Sequence, residues 1–157
     1  MNNPGKIPKA EQCIPQIKDN HVFRERLVDL LHRGIQNRLQ IVSAPAGYGK
    51  TTLLTDFAHN IDVPVCWYTI SIVDEDPKLF LEGILNSITL RSGNSIQMAN
   101  AAISYDSGGD VNRILTNLVN EIKNTVPDFL VFILEDYHFI ENSQPAQNIL
   151  NLLLEKM

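Results

Sequence analysis

Leu39-Gln40-Ile41-Val42-Ser43-Ala44-Pro45-Ala46-Gly47-Tyr48-Gly49-Lys50-Thr51-Thr52 is the stretch on which the fold turns. Residues 39–43 form a short β-leaning run and read as a first strand. It meets a glycine-containing loop, and Lys50 then opens a segment with Leu53, Leu54, Phe57, Ala58 and Ile61 on one helical face. Strand, glycine loop and helix in that order match the G-x-x-x-x-G-K-[ST] pattern of a phosphate-binding (Walker A) loop, with Ala44 in place of the first glycine. Each residue type has a physical task there. Gly47 and Gly49 can take positive φ and, together with Ala46 and Tyr48, bring backbone N–H groups to phosphate oxygens. Lys50 adds a full charge near the β- and γ-phosphates, and the start of the helix adds aligned amide dipoles toward Thr51 and Thr52. The Thr51 hydroxyl suits Mg2+. The competing reading is a glycine turn that binds nothing.

Working outward, Leu27, Leu30 and Leu31 recur at helical spacing, and the helix is expected to end near Gly34, with His32 and Arg33 at its negative end. Residues 63–70, around Trp67 and Tyr68, read as a second and largely buried strand. Asp76-Pro77 starts a helix striped by Phe80, Leu81, Ile84, Leu85 and Ile88. Residues 91–109 read as a connection with a short helical piece at 99–103. Asp110 caps a helix bearing Val111, Ile114, Leu115, Leu118, Val119 and Ile122, which ends before Pro127. A final helix begins near Ser143-Gln144-Pro145. Alternating strands and helices imply an α/β sandwich with a mainly parallel sheet, since parallel strands need long crossovers.

Residues 129–134 form a third, apolar strand that runs into Glu135 and Asp136, in the manner of a Walker B segment. Carboxylates at a strand's C-terminal end arrive where ligands bind in open α/β sheets, so one acid can hold a metal and the other position water. The alternative is a solvated acidic strand end. His138 is a minor candidate, more simply a structural hydrogen-bond partner. Asp74, Glu75 and Asp76 read as loop solvation and helix capping, with a regulatory contact as the sharper alternative. His21, His32 and His59 lack metal-ligand spacing, so no zinc site is expected.

The composition narrows the function classes. The chain has 157 residues, 44% hydrophobic, with 13 Lys+Arg against 18 Asp+Glu and a net charge of −5. It has apolar residues enough for a core, and the acidic balance argues against direct nucleic-acid binding. Cys13 and Cys66 have no pairing or metal spacing and read as reduced thiols. The polar N-terminus lacks a signal peptide's apolar run, and no apolar stretch is long enough for a bilayer, so a cytoplasmic location is expected. Residues 1–20, with Pro4, Pro8 and Pro15, read as an extended segment, and residues 21–157 as the domain proper.

Together Arg24-Glu25-Arg26-Leu27, residues 43–53, Trp67-Tyr68 and Glu135-Asp136-Tyr137-His138 resemble the MalT-like, LuxR-type transcription regulators, within the STAND class of P-loop NTPases. Ala44 is ordinary in that family. The resemblance implies an AAA/STAND-like three-layer P-loop fold binding ATP or ADP with Mg2+. It places Val22 and Arg24 in a segment that helps hold the nucleotide, Thr52 near the α-phosphate, Thr51 and Glu135 on the metal, and Asp136 at the water-polarising position beside the Lys50 charge. The order of the two acids is reversed from the common one, and Ser71 stands where the family has Asp, so slow hydrolysis is expected. The resemblance also implies that this chain is the N-terminal portion of a nucleotide domain, that the domain self-associates in the full-length protein, and that DNA contact belongs to a later domain. In such folds the strand between the phosphate-loop strand and the Walker B strand comes later in sequence, here beyond Met157, so the strands are expected either to pair differently or to leave unpaired edges that favour self-association. A small-molecule phosphotransferase, hinted at by Arg91 and Arg113, and an interaction domain that does not hydrolyse nucleotide stay open as alternatives.

Overall fold

The computed structural model describes residues 12–17, 20–92, 110–125 and 130–157. Among these, seven regular elements follow one another: α1 (Glu25–Arg33), α2 (Lys50–His59), β1 (Val65–Thr69), α3 (Pro77–Ser92), α4 (Val111–Thr125), β2 (Val131–Glu135) and α5 (Gln144–Lys156). The expected helical piece at 99–103 and the stop at Pro127 lie outside the described residues.

β1 and β2 pair in parallel, in the register Val65 to Val131, Trp67 to Ile133 and Thr69 to Glu135. Alternation along the strands divides their side chains between two apolar layers. Val65, Trp67, Val131 and Ile133 face α1 and α2, where Val28, Leu31, Leu53 and Phe57 complete one core. Cys66, Tyr68, Phe132 and Leu134 face the other way, into a larger core built by α3, α4 and α5. The result is helix, sheet, helix, as the expected three-layer arrangement requires. β1 is buried through Tyr68, while only Ile133 of β2 is fully buried. The first matches the largely buried strand expected around Trp67, and the second is less buried than its apolar run suggests. β2 has β1 on one edge and no described strand on the other.

The expected first strand departs further. Residues 39–43 are extended but belong to no sheet, and among the described residues their backbone forms no ladder hydrogen bond. Leu39 is 55% and Ile41 80% exposed. Side-chain propensity alone cannot make a strand: the ladder needs a second backbone within reach.

The helix signals are realised closely. α1 ends at Gly34, whose N–H reaches the Leu30 and Leu31 carbonyls with an ordinary negative φ. Asp76 Oδ1 accepts from the backbone N–H groups of Lys78 and Leu79 at the start of α3, and Asp110 Oδ1 accepts from Asn112 N–H at the start of α4. Asp74 differs from its expected solvated role. It is 2% exposed and accepts from the Tyr68 hydroxyl and from the Ser71 N–H and Oγ, in a 3-10 turn at Ile72–Glu75 that sequence periodicity does not register. Gly83 on α3 leaves the space that the Tyr68 ring occupies, because a Cβ there would overlap the phenol. The Asp74 carboxylate is therefore fully engaged in holding the chain between β1 and α3, consistent with the rule that buried charges must be hydrogen-bonded. Ser71 acts in the same capping box.

Candidate functional site

The glycine loop sits at the N-terminus of α2, at the same edge as the C-terminal end of β2. Gly47 has φ 82° and Gly49 φ 74°, the left-handed conformations anticipated for them. At Gly47 a Cβ would meet nothing within 4 Å, so glycine is needed there for its backbone angle rather than for space. The loop's own internal bond runs from Tyr48 N–H to the Pro45 carbonyl at 3.4 Å, and the helix's first turn closes with Leu53 N–H on the Gly49 carbonyl at 3.0 Å. Among the described residues no backbone acceptor engages the N–H groups of Gly47, Gly49, Lys50, Thr51 or Thr52. Free N–H groups at a helix N-terminus, gathered by two left-handed glycines, form a concavity of positive potential suited to an anion.

Two cations lie on the loop. Lys50 Nζ donates to the Ala44 carbonyl at 2.7 Å and to the Pro45 carbonyl at 3.2 Å. Arg24 Nη1 donates to the Tyr48 carbonyl at 2.9 Å and Nη2 donates to the Gly49 carbonyl. Both charges are satisfied by main-chain oxygens of the loop itself. Tyr48 is 68% exposed and Val22 77% exposed. Arg24 thus meets the loop, whereas Val22 beside it points to solvent.

Residues far apart in the chain converge here. The Thr51 hydroxyl donates to Glu135 Oε1, and Thr69 Oγ1 donates to Glu135 Oε2 at 3.4 Å. Trp67 Nε1 donates to Thr69 Oγ1 at 3.0 Å, so a buried indole, a threonine and the glutamate form one chain of hydrogen bonds. Thr69 is the contributor that motif reading missed. Its signal was positional: it is the last residue of a strand in register with Glu135. A hydroxyl and a carboxylate in contact are hard oxygen donors of the kind Mg2+ takes alongside phosphate oxygens and water, so the residues present fit that ion. Their exposed positions also leave solvent room for the remaining ligands.

Asp136 follows at φ 58°, the one non-glycine left-handed residue among the described ones, and its carbonyl accepts from Phe139 N–H in the 3-10 turn Tyr137–Phe139. Such backbone conformations carry a cost and concentrate at functional positions. Its side chain is exposed, with Oδ1 3.9 Å from His138 Nδ1. Arg113 is exposed on α4 and makes no described contact with the loop, and the Arg91 side chain lies outside the described residues. No described helix is long and apolar enough to cross a membrane.

No family model matches the chain. No solved structure matches it either. Among curated proteins it is similar to the serine/threonine-protein kinase PknK of Mycobacterium tuberculosis (strain ATCC 25618 / H37Rv), 31% identical over 138 residues that cover 85% of this chain and 12% of the relative. It is likewise similar to the HTH-type transcriptional regulator MalT of Yersinia pestis (strain Pestoides F), 28% identical over 139 residues that cover 88% of this chain and 15% of that protein. The chain therefore spans a small part of each of these relatives, and the two similarities together support a MalT-like family.

Proposed function

We propose that this chain is the nucleotide-binding switch module of a signal-responsive transcription regulator, a STAND-class P-loop NTPase unit that takes ATP or ADP with Mg2+ and hydrolyses ATP slowly. The observation that carries the reading is the hydroxyl of Thr51 on the carboxylate of Glu135, beside backbone N–H groups that no described backbone acceptor engages. A glycine turn of purely structural use has no need of an acid delivered from a strand 84 positions away.

In this reading the N–H groups of residues 46–52 bind the polyphosphate, and Lys50 exchanges its loop carbonyls for phosphate oxygens. Thr52 approaches the α-phosphate, and Val22 and Arg24 hold the nucleotide from the N-terminal side. Thr51 and Glu135 hold Mg2+, which when bound neutralises phosphate charge. Asp136 orients the attacking water and accepts its proton at a carboxylate oxygen. Its short side chain and the reversed order of the acids keep turnover low, which suits a switch whose ATP and ADP states must each persist. A nucleotide shifts such a switch only by the difference in its affinity for the two states.

On this view residues 21–157 belong to the nucleotide domain, which self-associates in the longer protein, resides in the cytoplasm, and contacts DNA only through a different domain. A protein-kinase reading draws no support from these residues: neither the H-R-D catalytic loop nor the D-F-G metal motif occurs in the 157 residues. Titration of a fluorescent ATP analogue against the wild type and Lys50→Ala tests the proposal. It expects binding by the wild type and a large loss in the variant. Equal affinity in both, or no binding and no thermal shift with Mg-ATP, refutes it.

A further inference from the structure

Asp56 lies in the middle of α2 and is 0% exposed, between Thr55 and Phe57 on the buried face of the helix. A carboxylate in that position is costly unless a donor or positive charge comes to it. What reaches it is His21, whose Nε2 lies 2.8 Å from Asp56 Oδ1, close enough for an ion pair though without the alignment of a hydrogen bond. Neither the phosphate loop nor the acids at 135–136 use this pair.

Its place in the chain suggests its use. Three residues after His21 comes Arg24, whose guanidinium bridges the Tyr48 and Gly49 carbonyls. The same N-terminal stretch touches α2 again where His59 Nε2 meets the Pro15 carbonyl at 3.3 Å, and where Ile14 packs on the core shared by α1 and α2. Ile14, Pro15 and His21 thus touch the layer of α2 and Arg24 finishes on the glycine loop, with the partly exposed His21 on the fully buried Asp56 as the contact nearest the loop. Arg24 alone would be a long, mobile side chain on an exposed turn. Fixing the backbone three residues earlier removes much of that freedom before the guanidinium engages.

We propose that Asp56 and His21 are positioning residues for nucleotide binding: their contact docks the N-terminal strap so that Arg24 is held on the phosphate loop and keeps the loop in its binding shape. This rests on the nucleotide reading above, but its first test does not need nucleotide. Amide hydrogen exchange on the nucleotide-free 157-residue chain should show His21→Leu accelerating exchange at Leu27 and Val28, whose N–H groups donate to the Arg24 carbonyl, and also at Leu53, whose N–H donates to the Gly49 carbonyl, while helices α3 to α5 stay as in the wild type. His21→Gln, which keeps a side-chain N–H donor for Asp56, should restore the wild-type pattern. Asp56→Leu, which removes both the charge and the acceptor oxygens at similar volume, should behave as His21→Leu does and serves in its place if that variant does not fold. Unchanged exchange at Leu53 in His21→Leu overturns the proposal, as does faster exchange spread evenly over the chain.

With a fluorescent ATP analogue, His21→Leu should bind about tenfold more weakly, the scale of losing a supporting contact behind a binding residue, with His21→Gln near wild type. Equal affinity in His21→Leu and wild type also overturns it. A wild-type chain that binds no nucleotide would sink the proposed function, and the exchange experiment would still decide whether the strap holds the loop.

Discussion

Residues 39–43 and β1 are similar on paper, two short β-leaning runs a few turns of chain apart, yet the molecule treats them in opposite ways. β1 lies in a parallel ladder with β2 and carries Trp67, 1% exposed, between two helical layers. Residues 39–43 are extended without a ladder and leave Ile41 80% exposed. The contrast separates two ways of holding a functional residue in place. Glu135 and Thr69 are fixed by a sheet, through backbone pairing and burial. The glycine loop that follows residue 43 is fixed by side chains: Lys50 on the Ala44 carbonyl, Arg24 on the Tyr48 and Gly49 carbonyls, and Thr51 on Glu135. The loop keeps its left-handed glycines although the run leading into it has no partner strand.

Shortening one apolar side chain in each region should give the two extremes of effect. Trp67→Ala removes an indole at the centre of the sheet and should cost about 3–5 kcal/mol of stability by urea denaturation. If Trp67→Ala proved mild, the sheet would not be the organising element described.

Lys50→Ala comes next. Folding should be close to wild type, because the ammonium contacts only loop carbonyls, whereas nucleotide affinity should fall by about 2–3 kcal/mol, or roughly 30- to 150-fold. A loss of folding without a specific loss of affinity would make Lys50 a structural tether of the loop.

Thr69→Val is smaller and addresses the link between the sheet and the acid. It keeps the shape but removes the hydroxyl that accepts from Trp67 and donates to Glu135. About 1 kcal/mol should be lost from Mg2+-dependent nucleotide affinity, and the emission of the chain's single tryptophan should shift. Affinity and emission both unchanged would mean that Thr69 does not hold Glu135. The smallest effect belongs to Ile41→Ala, expected within about 0.5 kcal/mol of wild type in the same urea experiment. A large loss there would mean that residues 39–43 are structured in solution by contacts absent from this account.

These contrasts also explain how far the sequence could be read. The boundary of α1 at Gly34, the Asp76-Pro77 opening of α3, the Asp110 cap of α4 and the start of α5 after Ser143 were legible, because caps and stripes are local signals confined to one turn of chain. So were the positive φ of Gly47 and Gly49. Strand pairing was legible only in outline, as a parallel sheet, and not in which run would lack a ladder, since residues 39–43 and 65–69 carry similar local signals and differ only in whether another backbone lies alongside. The roles of Asp74 and Asp56 were hidden for a related reason. Each is an acid in an unremarkable local context, and its burial is intelligible only once Tyr68 and Ser71, or His21, are placed beside it in space. The resting position of Lys50 on the Ala44 and Pro45 carbonyls was likewise beyond motif reading, which assigns the charge to a ligand and is silent on where it waits.

On the proposed function, the backbone N–H groups from Gly47 to Thr52 form the seat of a polyphosphate. Amide resonances of the isotopically labelled chain, recorded with Mg-ATP in large excess, address it most directly. The Gly47, Gly49, Lys50, Thr51 and Thr52 amides should move strongly downfield as they begin donating to phosphate oxygens, with little change at Ile41. Resonances that stay where they are in the nucleotide-free chain would contradict it.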